Sequence, residues 1–194
     1  MTQSKKEKTN GYRLKGRWTE LVPVHNGYLP FLFELATSER TGFRWGIPGT
    51  MLRLEQFNEM VWTGAWCNFI VHDLKSNQPI GIVTGYQPNF PDGYAYVAQV
   101  MIEEVQQTGK GVEALGLFIN LLFTNYNLRK LYFEVFEYNL PLAIGHSMRE
   151  EGRLKDHTYF DGQWWDKIIL ALYRGDFEQL RIRLGRHTSN RALD

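Results

Sequence analysis

The chain has 194 residues, a length that favours a single domain, and 43% of them are hydrophobic, which excludes a wholly disordered protein. Its 22 Lys and Arg residues nearly cancel its 21 Asp and Glu residues, and the net charge of +1 argues against a dedicated nucleic-acid-binding protein. The single cysteine, Cys67, excludes an internal disulfide and every site that needs several cysteines. The sequence shows no secretory signal and no membrane-spanning apolar stretch, so we expect a cytoplasmic protein without a membrane or nucleic-acid partner.

The first half of the chain predicts a strand, two helices and a meander of three strands. In chain order, we expect a disordered tail over 1–11, a strand over 12–24, a helix over 28–36 capped by Asn26, an exposed loop over 41–50, a helix over 54–62, and strands over 67–74, 80–86 and 94–103. Short turns with Pro, Gly and Asn join the last three strands, which is typical of antiparallel neighbours.

The second half of the chain predicts a helix and then mainly strands. In chain order, we expect a helix over 112–126, a strand over 130–137, a short helix near 141–150, and a hairpin of 153–160 with 163–173 around the pair Asp161-Gly162. This order indicates a mixed α/β (α+β) domain over 12–174, followed by a basic tail over 175–194.

The segment from Tyr96 to Val112 carries the pattern with the most chemical content, because a strand ends, a loop with two glycines follows, and a helix begins. Free N–H groups at a helix N-terminus bind phosphate, and Gly109 and Gly111 would let a diphosphate approach the backbone. A glycine pair before a helix is also common in ordinary turns. The pattern is neither a P-loop nor a dinucleotide fingerprint.

The spacing Gln106-x-x-Gly109-x-Gly111 resembles the Q/R-x-x-G-x-G/A coenzyme A motif of the GNAT acetyltransferases, and the order of elements is also similar. The text EEGRLKDHTYFDGQWWD over 150–166 resembles the ending of the RimJ/RimL-type branch, and Asn139 matches an asparagine of that branch. The resemblance covers 12–174 and implies a GNAT-like fold, with a mixed, mostly antiparallel central sheet flanked by helices. It also implies acetyl-CoA as the cofactor and a primary amine as the acceptor.

The resemblance implies a definite path for coenzyme A. Pantetheine would run along Val100, Met101 and Ile102 like an added strand, and Asn139 would lie near the coenzyme. The diphosphate would rest on the loop that follows Gln106, which comprises Gln107, Thr108, Gly109, Lys110, Gly111 and Val112.

Acetyl transfer needs a neutral amine, and therefore a base that removes a proton. Glu103 and Glu104, at the end of the predicted strand, are the nearest candidates, and strand alternation would direct only one of them into the cleft. Both also fit the description of solvated loop charges. Glu134 and Glu137, on or just after the next strand, are weaker candidates. The N–H of Met101 or of Ile102 is the expected donor to the oxyanion.

The resemblance also places a proton donor for the leaving thiolate, because family members commonly carry a tyrosine seven residues after the asparagine. Here that position is His146, followed by Ser147. His146, Ser147, a water molecule and no acid at all remain as alternatives.

The acceptor pocket is predicted from aromatic and basic residues at loop tips. They are Phe43, Arg44, Trp45, Tyr138, Tyr159, Trp164 and Trp165. The same aromatics could pack under their own loops or cover the face of a homodimer. Two acceptors remain open, a protein N-terminus and a small-molecule amine.

Three functions compete at this point. The first is acetyl transfer by direct attack of the amine in a ternary complex. The second is a non-catalytic acyl-CoA-binding or scaffolding protein on the same fold, and the third is an interaction module in which the glycine loop is a plain turn. Scattered histidines and the absence of HxH or HExxH spacing predict no metal site.

Overall fold

A computed structural model describes residues 13–39, 41–42, 53–63, 65–137 and 147–184. In these residues the chain forms eight strands and four helices, which are β1 (Leu14–Lys15), β2 (Thr19–Pro23), α1 (Leu29–Thr37), α2 (Leu54–Trp62), β3 (Ala65–Asp73), β4 (Gln78–Asn89), β5 (Tyr94–Met101), α3 (Lys110–Asn125), β6 (Lys130–Phe136), β7 (Arg149–Phe160), β8 (Gln163–Tyr173) and α4 (Arg174–Leu184). None of the helices in this described part is long and apolar enough to cross a membrane.

The eight strands form one sheet in the order β1-β2-β3-β4-β5-β6-β8-β7. All neighbours are antiparallel except β5 and β6, which are parallel. A parallel pair needs a crossover connection, and α3 supplies it. The predicted mixed, mostly antiparallel sheet flanked by helices is therefore confirmed.

Helices cover both faces of the sheet, and each face has its own apolar cluster. Phe118 and Leu122 of α3 pack with Leu131 of β6 on one face, which also receives Phe177 of α4. On the other face, α1 and α2 pack on β3, β4 and β5; the buried residues there are Leu32, Leu35, Ala36, Phe57, Val61, Ile70, Ile82 and Val100. Burial of these side chains provides the main driving force for folding.

Several predicted elements agree with the structure. The helix over 54–62 is confirmed to the residue, and it buries Phe57 and Val61 as its spacing requires. The hairpin of β7 and β8 is also confirmed. Asp161 and Gly162 both have positive φ, 51° and 77°, as a two-residue turn between right-twisted strands demands.

Other boundaries differ from prediction. Residues 12–24 contain a hairpin of β1 and β2, not one strand. His25 caps the turn that precedes α1, because its Nδ1 accepts from the N–H of Gly27; Asn26 lies inside that turn. At the far end of the sheet, Arg149 and Glu150 belong to β7 and not to a short helix.

The folded part also continues past Arg174, into the segment 175–194 that the sequence assigns to a tail. Helix α4 runs to Leu184, and Phe177 is 3% exposed against Phe123. The Arg174 guanidinium donates to the carbonyl oxygens of Phe123, Tyr126 and Leu128. Phe123 lies in the last turn of α3, Tyr126 is its C-cap residue and Leu128 lies just beyond, so Arg174 binds the C-terminus of that helix and the chain that leaves it.

A buried carboxylate explains the hairpin of β1 and β2. Glu113, in the first turn of α3, accepts from the N–H groups of Arg17, Trp18 and Thr19 at 2.6, 2.9 and 2.8 Å. It also accepts from the Thr19 hydroxyl at 2.7 Å. A Cβ at Gly16 would lie 2.6 Å from the Glu113 Cδ, so only glycine fits there. The turn therefore forms around a side chain more than 90 residues away in sequence.

We expect Glu113→Gln to destabilise the fold by about 3 kcal/mol, because an amide NH₂ would face buried backbone donors that now share a carboxylate. Urea unfolding measures the loss. Glu178→Gln removes an equal charge from an exposed pair with Arg181, and it should change the free energy of unfolding by less than about 0.5 kcal/mol. Equal effects of the two substitutions would refute the structural role of Glu113.

Candidate functional site

A gap opens in the sheet between β5 and β6. The two strands pair only from Tyr94 with Lys130 to Tyr96 with Tyr132. Beyond that point β5 continues to Met101 and β6 to Phe136 without pairing to each other. On its other edge β5 stays paired with β4 as far as Met101. The gap therefore exposes one edge of β5 over its C-terminal half.

The hydrogen-bond pattern shows which backbone groups face this gap. The N–H of Ile102 donates to the carbonyl of Ile80 at 3.0 Å, on the side of β4. Residues of an antiparallel ladder alternate in direction, so the N–H groups of Gln99 and Met101 point away from β4 and into the gap. Ile102 is therefore wrong as an oxyanion donor, because its N–H is used in the sheet, whereas Met101 fits.

The loop after β5 presents further N–H groups. Two of its residues are left-handed, Gln107 with φ 65° and Gly109 with φ 82°. Left-handed backbone is strained for glutamine, and such strain is common at functional sites. In the described part of the chain, the N–H groups of Gly111 and Val112, in the first turn of α3, have no hydrogen-bond acceptor. These donors and the helix dipole favour an anion at this end of α3.

Gly111 lies against β5, where a Cβ would make only ordinary van der Waals contacts. A Cβ there would lie 3.5 Å from the Met101 Cγ and 3.6 Å from the Gln99 Oε1. The Gln99 amide donates to the Gly111 carbonyl at 2.8 Å. The start of α3 thus lies against β5, held there by the Gln99 side chain, and a small side chain would also fit at position 111.

Lys110 is bound within the protein. Its ammonium lies 2.8 Å from the carboxylate of Asp73, which is 8% exposed at the end of β3. Asp73 also accepts from the N–H and hydroxyl of Ser76 at 3.0 and 2.8 Å. The Lys110 ammonium and the Ser76 donors lower the pKa of Asp73 to about 2, against the opposing effect of burial. This ion pair holds the start of α3 against the sheet, and the predicted contact of Lys110 with the diphosphate stays a prediction.

The rest of the loop is built from local turns. The N–H of Gln106 donates to the Glu103 carbonyl at 2.9 Å, and the Thr108 hydroxyl donates to the Val105 carbonyl at 2.6 Å. Gln107 is exposed. Hydrogen bonds within the loop therefore fix its backbone, and its outer side is exposed.

Glu103 and Glu104 are not strand residues. They lie in a short 3-10 turn, Glu103–Val105, because β5 already ends at Met101. Both line one pocket of about 320 Å³ at the end of the sheet, next to Glu34 of α1 and Ile102. Strand alternation therefore does not apply to Glu103 and Glu104, and the prediction that one of them faces the acceptor cleft stays a prediction.

Ser147 and Tyr159 lie in different places. Ser147 is half-buried and precedes β7. The first residue of β7, Arg149, pairs with Ala171 of β8, and Ala171 in turn pairs with Tyr132 of β6. This places Ser147 on the paired side of β5 and β6, away from the gap. Tyr159 is 56% exposed beside the hairpin turn. Six predicted site residues lie outside the described residues and stay predictions: Phe43, Arg44, Trp45, Tyr138, Asn139 and His146.

No protein-family model and no curated protein matches this sequence. Solved structures do. A spermidine N-acetyltransferase from Vibrio cholerae, in complex with CoA and spermine, is 19% identical with a TM-score of 0.71, covering 83% of this chain and 98% of that chain. A GCN5-related N-acetyltransferase from Brucella melitensis is 17% identical with a TM-score of 0.72, covering 90% and 84%.

A GNAT-family acetyltransferase from Bacillus anthracis is also similar, with 17% identity, a TM-score of 0.65, and coverage of 84% of this chain and 98% of that chain. At these identities the likeness shows the fold. The chain has the fold of the GNAT acetyltransferases, as the resemblance predicts, and its assignment to the RimJ/RimL-type branch stays a prediction.

We expect the ion pair of Asp73 and Lys110 to make stability depend on pH. The pKa of Asp73 is about 2 when folded and 3.8 as an ordinary aspartate, so its contribution is complete above about pH 5 and is lost as the pH falls towards 2. Asp73→Asn should cost about 1–2 kcal/mol at pH 7, and this difference from wild type should shrink at pH 3. Urea unfolding at both pH values tests this, with the exposed Asp92→Asn as the control. A difference independent of pH would contradict it.

Proposed function

We propose that this protein transfers an acetyl group from acetyl-CoA to a primary amine. The observation that carries the proposal is the juxtaposition of three features at one end of the sheet. They are the exposed edge of β5, the left-handed loop, and the first turn of α3 with its free N–H groups. An extended chain that ends in a diphosphate fits this arrangement, because it can hydrogen-bond along a strand edge and place its phosphates at a helix N-terminus.

The residues present fit coenzyme A. The backbone of Gln99 and Met101 would hold the pantetheine arm, and the N–H groups of Gly111 and Val112, with the loop before them, would hold the diphosphate. Bound there, the coenzyme supplies an acetyl group activated as a thioester. The chain's own part is to orient that group and to provide the Met101 N–H as a donor to the thioester carbonyl oxygen.

The acceptor must be an amine that can lose a proton before it attacks. The Vibrio cholerae neighbour in complex with spermine supports a small-molecule amine. The resemblance of the hairpin text to the RimJ/RimL-type branch supports a protein N-terminus instead. Both are primary amines, and the proposal covers both. A homodimer through the exposed Tyr159 and Trp164 remains a proposal that rests on their exposure alone.

We expect acetyl-CoA to stabilise wild type and Gly116→Asp but not Gly109→Asp. Ligand at about 100 times its Kd adds roughly 2.7 kcal/mol, which is a rise in Tm of roughly 5–10 °C for a chain of this size. A carboxylate at Gly109 would repel the diphosphate. A Cβ at Gly116, in the middle of α3, meets no atom within 4 Å, so Gly116→Asp makes the same change of charge away from the loop.

Thermal unfolding with and without acetyl-CoA measures these shifts, and release of free thiol in the presence of amines measures turnover. No shift for wild type at millimolar coenzyme would overturn the proposed function. A shift without turnover of any amine would favour the non-catalytic acyl-CoA-binding protein.

A further inference from the structure

A carboxylate stands where β5 and β6 separate. Tyr132 is the last residue of β6 that pairs with β5, and Glu134 is the next residue on the same face of the strand. Leu131 and Phe133 point to the other face, where they are buried in the apolar cluster of α3. Glu134 therefore lies at the apex of the gap, on the face opposite α3.

This placement puts Glu134 across the sheet from the phosphate-binding loop. The loop continues into α3, which covers the face of Leu131 and Phe133. An acetyl group delivered from that side would reach the face of Glu134 through the gap. Continuing the parallel register, the β5 residue level with Glu134 is Ala98, which is exposed and small, so it leaves room for an acceptor.

Neighbouring side chains hold Glu134 without burying it. The Lys167 ammonium of β8 lies 3.6 Å from the Glu134 carboxylate, and the Glu134 side chain remains 33% exposed. The Tyr86 hydroxyl of β4 lies beside it; burial first, and then the negative charge of Glu134, raise the pKa of Tyr86, so this hydroxyl stays protonated. Glu134 can thus accept a proton and return it to water.

Aromatic rings flank the same position. The rings of Tyr86 and Tyr96 lie 5.5 Å apart, and those of Tyr96 and Tyr132 lie 5.2 Å apart. Ring faces attract cations, and an adjacent carboxylate strengthens this attraction. The Lys130 ammonium lies 4.5 Å from the centroid of the Tyr132 ring, so this group of rings already attracts a cation within the protein.

We propose that Glu134 is a catalytic residue that binds the acceptor's ammonium group at the apex of the gap and removes its proton. This assignment rests on the proposed function, and it replaces Glu103 and Glu104, which line a different pocket beside α1.

The proton balance is as follows. The ammonium RNH₃⁺ gives one proton to the Glu134 carboxylate, and the nitrogen lone pair then forms the new C–N bond with the thioester carbonyl carbon. The C–S bond breaks and its electron pair stays on sulfur. Sulfur takes the second proton of the nitrogen, which leaves an N-acetyl amine and the free thiol, and Glu134 releases its proton to solvent.

The test compares Glu134→Gln, Glu103→Gln, Glu104→Gln and a matched control, Glu20→Gln. Glu20 is a partly buried strand carboxylate that pairs with Arg13 at 3.2 Å, far from the gap. Turnover is measured with acetyl-CoA and three amines, namely spermine, glucosamine and a peptide with a free α-amine. Thermal stabilisation by coenzyme A, measured on each variant, reports whether the coenzyme site is intact.

We expect Glu134→Gln to lower kcat about 10²–10³-fold at pH 7.5 and to keep its stabilisation by coenzyme A. With spermine the deficit should shrink at least about tenfold at pH 9.5, because the free fraction of an alkylamine with a pKa of about 10.4 rises about 100-fold over this range, whereas that of an α-amine with a pKa of about 8 rises only about threefold. The charged and titratable groups that face Glu134 are Tyr86, Tyr96 and Lys167 on β4, β5 and β8, with Lys130 and Tyr132 on its own strand. All five groups are present in wild type and in Glu134→Gln, so a change of the kcat deficit with pH is due to the Glu134 carboxylate.

Two results would overturn the assignment while acetyl transfer stands: near wild-type turnover by Glu134→Gln, or a loss confined to Glu103→Gln or Glu104→Gln. If the kcat deficit of Glu134→Gln with spermine is the same at pH 7.5 and pH 9.5, Glu134 has a structural role, and the assignment is overturned. Failure of wild type to acetylate any of the three amines would overturn the proposed function, and the role of Glu134 with it.

Discussion

The sheet holds one pair of parallel neighbours, and that pair comes apart after three residues. Tyr94–Tyr96 stay level with Lys130–Tyr132, and then the two strands diverge while β4 and β8 keep their outer edges paired. Because backbone groups in a sheet need partners, an edge exposed inside a sheet is costly unless something fills it. The unpaired backbone groups of Gln99 and Met101 can therefore bind an extended ligand. The chemistry proposed for the gap depends on this divergence of β5 and β6.

The start of α3 is fastened to the sheet by three independent contacts. Gln99 bonds to the Gly111 carbonyl, Lys110 pairs with Asp73, and Glu113 binds the turn between β1 and β2. Each contact comes from a different strand or hairpin. A loop held in this way keeps its N–H groups aimed outward before any ligand arrives, so little ordering entropy is lost on binding. Rigid support explains how a strained residue such as Gln107 persists there.

Local patterns were sufficient for much of the fold and for part of the site. Asp161-Gly162 predicts its turn because the two residues themselves need positive φ, and the 54–62 helix follows from the spacing of Phe57 and Val61. The order of strand, loop and helix around Gly109 and Gly111 was predicted in the same way. Glu113 was missed because its partners lie more than 90 residues away, and nothing near it in the chain signals them. The sequence indicates that Tyr132 and Glu134 share one face of a strand, because they are two residues apart. Their place at the apex of the gap depends on the register with β5, which the sequence does not show.

The capping of α3 by Arg174 also has a consequence for biosynthesis. A ribosome delivers β5, α3 and β6 well before Arg174, whose guanidinium satisfies three carbonyls at the end of α3. Strand β8, which holds the outer edge of β6, emerges just ahead of it. Until then β6 lacks a partner on one side, and the gap has only one fixed wall. The nascent chain therefore carries the loop before α3 beside an unfinished cleft, and the cleft is completed only when β8 and α4 leave the ribosome.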